Sequence, residues 1–169
     1  MDRLLPDPNL ADDAPDPVAD YLDDARPAPP GRPWVVMGMV ASVDGATAVN
    51  GRSGGLGGPG DRRVFRALRG VADMILVGAG TVRAEGYRSP RTSDDVVARR
   101  LAAGRAPCPR LVVVSGSLDL NPEAPLFADR PDEDPPPVVA TVASAPPDRR
   151  AALEPVAELV ACGPNRVDL

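Results

Sequence analysis

Five short apolar runs, at residues 34–41, 73–77, 111–114, 137–141 and 157–161, set the terms on which this chain can fold. None alternates apolar with polar residues, so each expects cover on both faces, as strands inside a parallel sheet do. Helical patterns lie between them. Residues 59–70 open with Pro59 in the first turn and Asp61 near the positive end, then set Val64, Leu68 and Val71 on one face. Residues 80–85 predict a short helix. A longer one runs to Ala103, capped by Thr92 or Ser93 and stopped by Gly104, and residues 147–153 predict another. Strand–helix alternation of this kind implies an α/β fold, its sheet at least partly parallel and flanked by helices. The connection over 115–136 is long, acidic and rich in proline, and predicts a mobile surface loop.

The folded part begins near Pro33 and occupies residues 33–169 as one domain. Before it, residues 1–32 form an arm rich in Asp and Pro that buries too little apolar surface to order itself. A short helix at 18–22, docked through Tyr21 and Leu22, is the one element expected there. No apolar run approaches the ~18 residues that span a membrane, and no basic, apolar leader precedes the arm, so a cytoplasmic protein without membrane contact is expected. Cys108 and Cys162 lack C-x-x-C spacing; reduced thiols are the default, with one disulfide left open.

Two absences narrow the chemistry. The chain has no histidine, which removes Ser-His triads and most zinc sites, and no metal is expected. It has no lysine either, which removes Schiff-base catalysis and a Walker-type phosphate loop; all 19 basic residues are arginine. The net charge of −5 hides an asymmetry: residues 51–110 hold twelve arginines against five acids, while both flanks are acidic. A basic middle attracts anions, and a phosphorylated metabolite suits it better than nucleic acid, because stacking aromatics are scarce.

Three glycine-rich turns concentrate the candidate chemistry. In Val77-Gly78-Ala79-Gly80-Thr81 a buried strand gives way to a helix whose first N–H groups are free, so the turn either simply joins the two or holds a nucleotide phosphate, with Thr81 adding a hydroxyl. Glu85 is the one acid in residues 74–91, beside Arg83, Arg88 and Arg91 and downstream of Arg69. It fits an ion pair on a solvated helix end, or a carboxylate at a pocket edge that orients a cofactor or relays a proton. Ser42-Val43-Asp44-Gly45 favours a tight turn over a ligand contact by Ser42 and Asp44. Ser53 sits in a loop so rich in glycine that it must move or let backbone approach a ligand. Arg69 offers a planar fork for phosphate, although a solvated face is the usual fate of a helix arginine.

Taken jointly, three segments resemble the reductase domain of riboflavin biosynthesis, within the dihydrofolate-reductase-like superfamily. They are residues 41–45, residues 51–69 with Gly51-Arg52-Ser53, Gly58-Pro59-Gly60-Asp61-Arg62-Arg63 and Leu68-Arg69, and residues 72–83 ending in Gly78-Ala79-Gly80-Thr81-Val82-Arg83. The likeness is close over residues 34–120 and weak beyond. It implies a mixed, mainly parallel sheet with about five strands present. It also implies NADPH as cofactor, a phosphoribosylamino-pyrimidine as substrate with hydride delivered to ribose C1′, and a homodimer in the full-length form. By position, Val40, Ala41, Leu56, Gly78, Ala79, Gly80, Thr81, Glu85 and Ser115 would line the cofactor. Ser53, Arg69 and Arg91 would contact substrate, and Glu85, with Asp44, would supply catalytic or orienting carboxylates.

The family commonly carries lysine where this chain has Gly38, which keeps a dihydrofolate or pterin substrate open as an alternative. Its domain continues for roughly another third, with a Glu-Gly-Gly loop for the cofactor pyrophosphate and a substrate-contacting glutamate. Because the sequence stops at Leu169, a fragment of the enzyme, or a non-catalytic nucleotide-binding remnant, is expected.

Overall fold

A computed structural model describes residues 28–169; the predicted helix at 18–22, and the arm up to residue 27, lie outside the described residues. Four strands, β1 (Met74–Gly78), β2 (Arg110–Val114), β3 (Val138–Thr141) and β4 (Glu158–Ala161), form one sheet in the order β1-β2-β3-β4. All three pairings are parallel, with Gly78 opposite Val114 and Val114 opposite Ala140. Helix α1 (Pro59–Val71) precedes β1, and α2 (Ala79–Glu85), α3 (Asp94–Ala102), α4 (Pro125–Ala128) and α5 (Pro147–Leu153) run between the strands. Proline opens α1, α4 and α5, where the first-turn N–H has no intrahelical partner to lose. Gly86 at φ 62° and Gly104 at φ 70° stop α2 and α3 in the left-handed region.

The core lies on one face of the sheet. Ile75, Val77, Leu111, Val113, Val139 and Leu159 share that face by register, and Val82 of α2, Leu126 and Phe127 of α4 and Leu153 of α5 close over it. Val113, Val139 and Leu153 are fully buried. The other face is largely open among the described residues: Met74 is 62% and Leu76 59% exposed. The expectation of cover on both faces is met on one only.

The sequence predicted a first strand over residues 34–41, and the structure has none. That segment runs as irregular chain with Val35, Met37 and Met39 exposed. An apolar run becomes a strand only when another edge accepts its backbone, and no described strand pairs with it. Among the described residues the sheet is therefore four-stranded and wholly parallel rather than mixed and five-stranded. The connection over 115–136 also departs from expectation. It is pinned, with Leu118, Leu126 and Phe127 in the core and the Asp134 side chain only 3% exposed. Among the described residues no helix is long and apolar enough to cross a membrane.

Helix α1 meets α3 at Gly70, where an added Cβ would sit 3.0 Å from Val96 Cγ1. One turn on from Val96, the buried Arg100 seals the contact: its Nη1 donates to Gly70 O (2.9 Å) and Ala72 O (2.7 Å), and its Nε to Ala106 O (2.8 Å). A buried guanidinium thus satisfies carbonyls where α1 ends and β1 begins. Desolvation pulls its pKa below the usual arginine value.

Candidate functional site

The parallel register brings the carboxyl ends of β1 and β2 side by side, so Ala79 stands next to Ser115. Ser115 is buried and donates its N–H to Ala140 O at 2.9 Å, which carries the ladder one residue past β2. Helix α2 leaves from this edge. Gly78 and Gly80 face open space, since a Cβ on either would meet nothing within 4 Å. At about 1.5 Å of rise per residue, α2 carries the chain roughly 9 Å from Ala79 to Glu85, with exposed Thr81 one turn before Glu85 on the same side.

Glu85 then reaches the glycine-rich loop. The Ser53 backbone N–H and the Ser53 hydroxyl both donate to Glu85 Oε1, at 2.8 and 3.0 Å, across 32 residues of sequence. The loop is shaped for this. Asn50 (φ 51°) and Gly51 (φ 76°) both take left-handed backbone, Val49 and Arg52 form an isolated bridge, and residues Ser53–Gly55 make one tight turn that half-buried Leu56 closes through its N–H to Ser53 O (2.9 Å). The Ser53 N–H and hydroxyl together hold the Glu85 carboxyl below the ordinary value of 4.5; the charge of Arg52 adds less. The solvated ion pair predicted as one option for Glu85 is not what forms. Ser53 and Glu85 meet directly, and exposed Thr81 lies one helical turn before Glu85 on α2.

Arg69, in the last turn of α1, is not on a solvated face. Its guanidinium carbon lies 4.4 Å from the Phe65 ring centroid and 5.3 Å from that of Tyr87, and its Nη2 donates to the Tyr87 hydroxyl at 2.9 Å. Among the described residues it makes no ion pair, and its buried Nε has no partner. Gly38, where the resemblance leads one to expect lysine, faces Phe65 and Leu68 of this helix; a Cβ there would lie 3.7 Å from each.

Asp44 and Arg91 stand differently. Asp44 stays within its own turn: Ser42 Oγ donates to Asp44 Oδ1, Ala46 N–H reaches Ser42 Oγ at 3.1 Å, and Gly45 (φ 85°) makes the reversal. The Ser42 hydroxyl, then the Ala46 N–H, lower the Asp44 pKa. This is the tight turn favoured above, with half-buried Val40 and exposed Ala41 leading into it. Arg91 bonds Glu133 at 2.8 Å and the buried Asp134 at 3.4 Å, so two carboxylates already hold its fork and raise its pKa. Arg83 pairs with Asp119 (3.5 Å) and Arg88 with Asp129 (2.6 Å). The acidic connection therefore takes up three arginines of the basic stretch that was expected to face anions. Tyr87, Arg100 and Asp134 were missed in the sequence. The signals for Tyr87 and Asp134 were faint, a rare aromatic just past a helix stop and an acid within a proline-rich run.

With the loop, α2 and the strand ends assembled, residues 33–169 match the family described as the RibD C-terminal domain. The chain belongs to that family. Among its relatives, the 2,5-diamino-6-ribosylamino-4(3H)-pyrimidinone 5′-phosphate reductase of Methanothermobacter thermautotrophicus is 33% identical over 138 residues, which is 82% of this chain and 59% of that protein. The protein of the same name from Archaeoglobus fulgidus is 32% identical over 139 residues, covering 82% and 62%. The riboflavin biosynthesis protein RibD of Mycobacterium tuberculosis is 35% identical over 115 residues, 67% of this chain and 31% of that one. A solved pyrimidine reductase-like protein from Corynebacterium diphtheriae superposes with a TM-score of 0.66 at 31% identity, over 74% of this chain and 53% of the other. The chain thus spans about three fifths of the length of the first two relatives. The fold is the α/β, dihydrofolate-reductase-like one of this RibD C-terminal group.

Proposed function

We propose that this RibD-family chain carries the cofactor-facing part of an NADPH-dependent reductase acting on a phosphoribosylamino-pyrimidine. The carrying observation is the junction of Ser53 with Glu85, because it joins the glycine-rich loop to the helix that starts at the strand ends. Two further features support it. Gly78 and Gly80 leave room beyond the sheet edge where α/β folds bind their ligands, and two relatives are named for reduction of such a phosphate. NADPH, when bound, supplies hydride to ribose C1′. Ala79, Thr81 and Ser115 would hold it along the strand ends, with Val40, Ala41 and Leu56 at the margins.

The chemistry assigned to Glu85 follows from its depressed pKa. A carboxyl ionised at neutral pH is a poor proton donor, so Glu85 serves as acceptor and orienting group rather than acid. It would accept from an N–H or hydroxyl of the ligands, while Ser53 fixes its rotamer and contacts substrate. Arg69, unpaired with any carboxylate among the described residues and with one buried donor unspent, is assigned to the substrate phosphate. Arg91 can join it only by giving up Glu133 and Asp134, and Asp44 holds its turn. Two free cysteines fit a reducing cytoplasm. A homodimer is part of the same proposal, by family likeness.

The test is turnover. Loss of nicotinamide absorbance is followed with the ribosylamino-pyrimidine phosphate and, separately, with dihydrofolate. Oxidation of NADPH with the first alone supports the assignment; oxidation with dihydrofolate alone transfers it to a pterin reductase, and NADPH binding without either turnover leaves a nucleotide-binding unit.

A further inference from the structure

We infer that Tyr87 is a positioning residue that sets the selectivity of Arg69 for a phosphorylated ligand, with Phe65 as the second wall of the same clamp. Tyr87 follows Gly86, whose left-handed backbone (φ 62°) ends α2 and turns the chain back, with both Gly86 and Tyr87 donating their N–H to Val82 O. This one turn sends Glu85 to the loop and the Tyr87 phenol to α1. Phe65 and Arg69 are four residues apart on α1, so the ring can lie under the guanidinium of the arginine.

The result is a guanidinium held by two aromatic residues, one of which also accepts its hydrogen bond. One ring lies 4.4 Å from its carbon, another 5.3 Å away, and the Tyr87 hydroxyl accepts from Nη2 at 2.9 Å. An arginine on a free stem loses most of its rotamer freedom on binding an anion; one already fixed loses little. The clamp also keeps Arg69 clear of the acids that occupy Arg83, Arg88 and Arg91. Aromatic faces hold a cation without neutralising it, so its full charge stays available. The buried, unpartnered Nε is the second pointer to an anion, since a donor left in that state is costly until an acceptor arrives.

This rests on the assignment of Arg69 to the substrate phosphate, and the test keeps the two apart. Binding of the ribosylamino-pyrimidine 5′-phosphate and of its dephosphorylated nucleoside is measured by titration calorimetry for wild type, Tyr87→Phe, Phe65→Leu and Arg69→Ala. Tyr87→Phe keeps the ring and removes only the acceptor, so it should fold. The ratio of affinities, phosphorylated over dephosphorylated, should fall about three- to tenfold in Tyr87→Phe, the size of one hydrogen bond's net contribution, and further in Arg69→Ala. Phe65→Leu should lower the same ratio. A general structural role for Tyr87 would weaken both ligands alike and leave the ratio unmoved, which overturns the inference. If Arg69→Ala lowers the ratio and Tyr87→Phe does not, Arg69 keeps its assignment and Tyr87 loses its own. If Arg69→Ala matches wild type, the phosphate assignment fails and takes the clamp with it.

Discussion

Removing the guanidinium of Arg100 should destabilise the whole α1–α3–β1 corner and, with it, the seat of Arg69. Arg100 is 3% exposed and makes three bonds to carbonyls, at 2.7 to 2.9 Å, two where α1 ends (Gly70, Ala72) and one just past α3 (Ala106). Hydrogen bonds from a charged donor contribute about 1.5–3 kcal/mol each, but burying the cation costs part of that sum, as its lowered pKa records. Arg100→Ala then leaves the Gly70 and Ala72 carbonyls without their donor, and a net loss of about 3–4 kcal/mol follows. For a chain of this size that corresponds to a fall in Tm of roughly 6–16 °C. Arg100→Met separates the causes, because it keeps an apolar stem against Val96 and Gly70 but carries no donor; it should recover less than about half of the loss. Equilibrium urea unfolding and a thermal melt, both read by circular dichroism, measure this. Both variants unfolding within about 0.5 kcal/mol of wild type would show that water replaces the guanidinium at no cost.

Three further outcomes follow. Cys108 is buried and its thiol is pushed up in pKa by desolvation, then by the charge of Asp134, whereas Cys162 is half-buried near the surface; a thiol-reactive dye at neutral pH should label Cys162 first and reach Cys108 only on unfolding, and equal rates would contradict this. Asp134 ties the connection over 115–136 to the body through Ser89 Oγ (2.6 Å) and Arg91 Nε (3.4 Å); Asp134→Ala should speed limited proteolysis within that connection several-fold, and an unchanged cleavage pattern would mean that Leu126 and Phe127 alone suffice to hold it. The Glu85 carboxyl is held below its ordinary 4.5 by Ser53. The clasp's contribution is therefore fully present above 4.5 and is lost as pH falls through the lower folded value, and Ser53→Ala should move the Glu85 midpoint, read by carbon-13 NMR, back up. A midpoint at or above 4.5 in wild type would show that the bond does not form.

What the sequence revealed and what it hid divide along the range of the forces involved. Helix α1 was legible because Pro59, Asp61 and the spacing of Val64, Leu68 and Val71 act within a few residues, and β1 to β4 were legible because their apolar runs are short and bounded. The strand expected at 34–41 failed because a strand is completed by an edge elsewhere, and apolar content does not supply one. The connection over 115–136 misled because its many Pro and Asp residues mask three core anchors, Leu118, Leu126 and Phe127. At the site, Ser53, Thr81 and Glu85 were legible as separate turn and helix residues, but the bond across 32 positions is a tertiary fact. Arg69, Arg91 and Arg100 are indistinguishable as letters. One is clamped by rings, one is paired with acids and one caps carbonyls, and only packing sorts them.

The most direct measurement is the affinity of NADPH for wild type, Ser53→Ala and Glu85→Gln, followed by the fluorescence of the bound nicotinamide. If the loop and α2 build one wall of the cofactor site, wild type binds saturably and Glu85→Gln weakens binding about tenfold, the size of one charge-assisted contact, with Ser53→Ala weakening it less. Equal affinity in all three proteins would place the cofactor elsewhere and dissolve the link between this junction and catalysis.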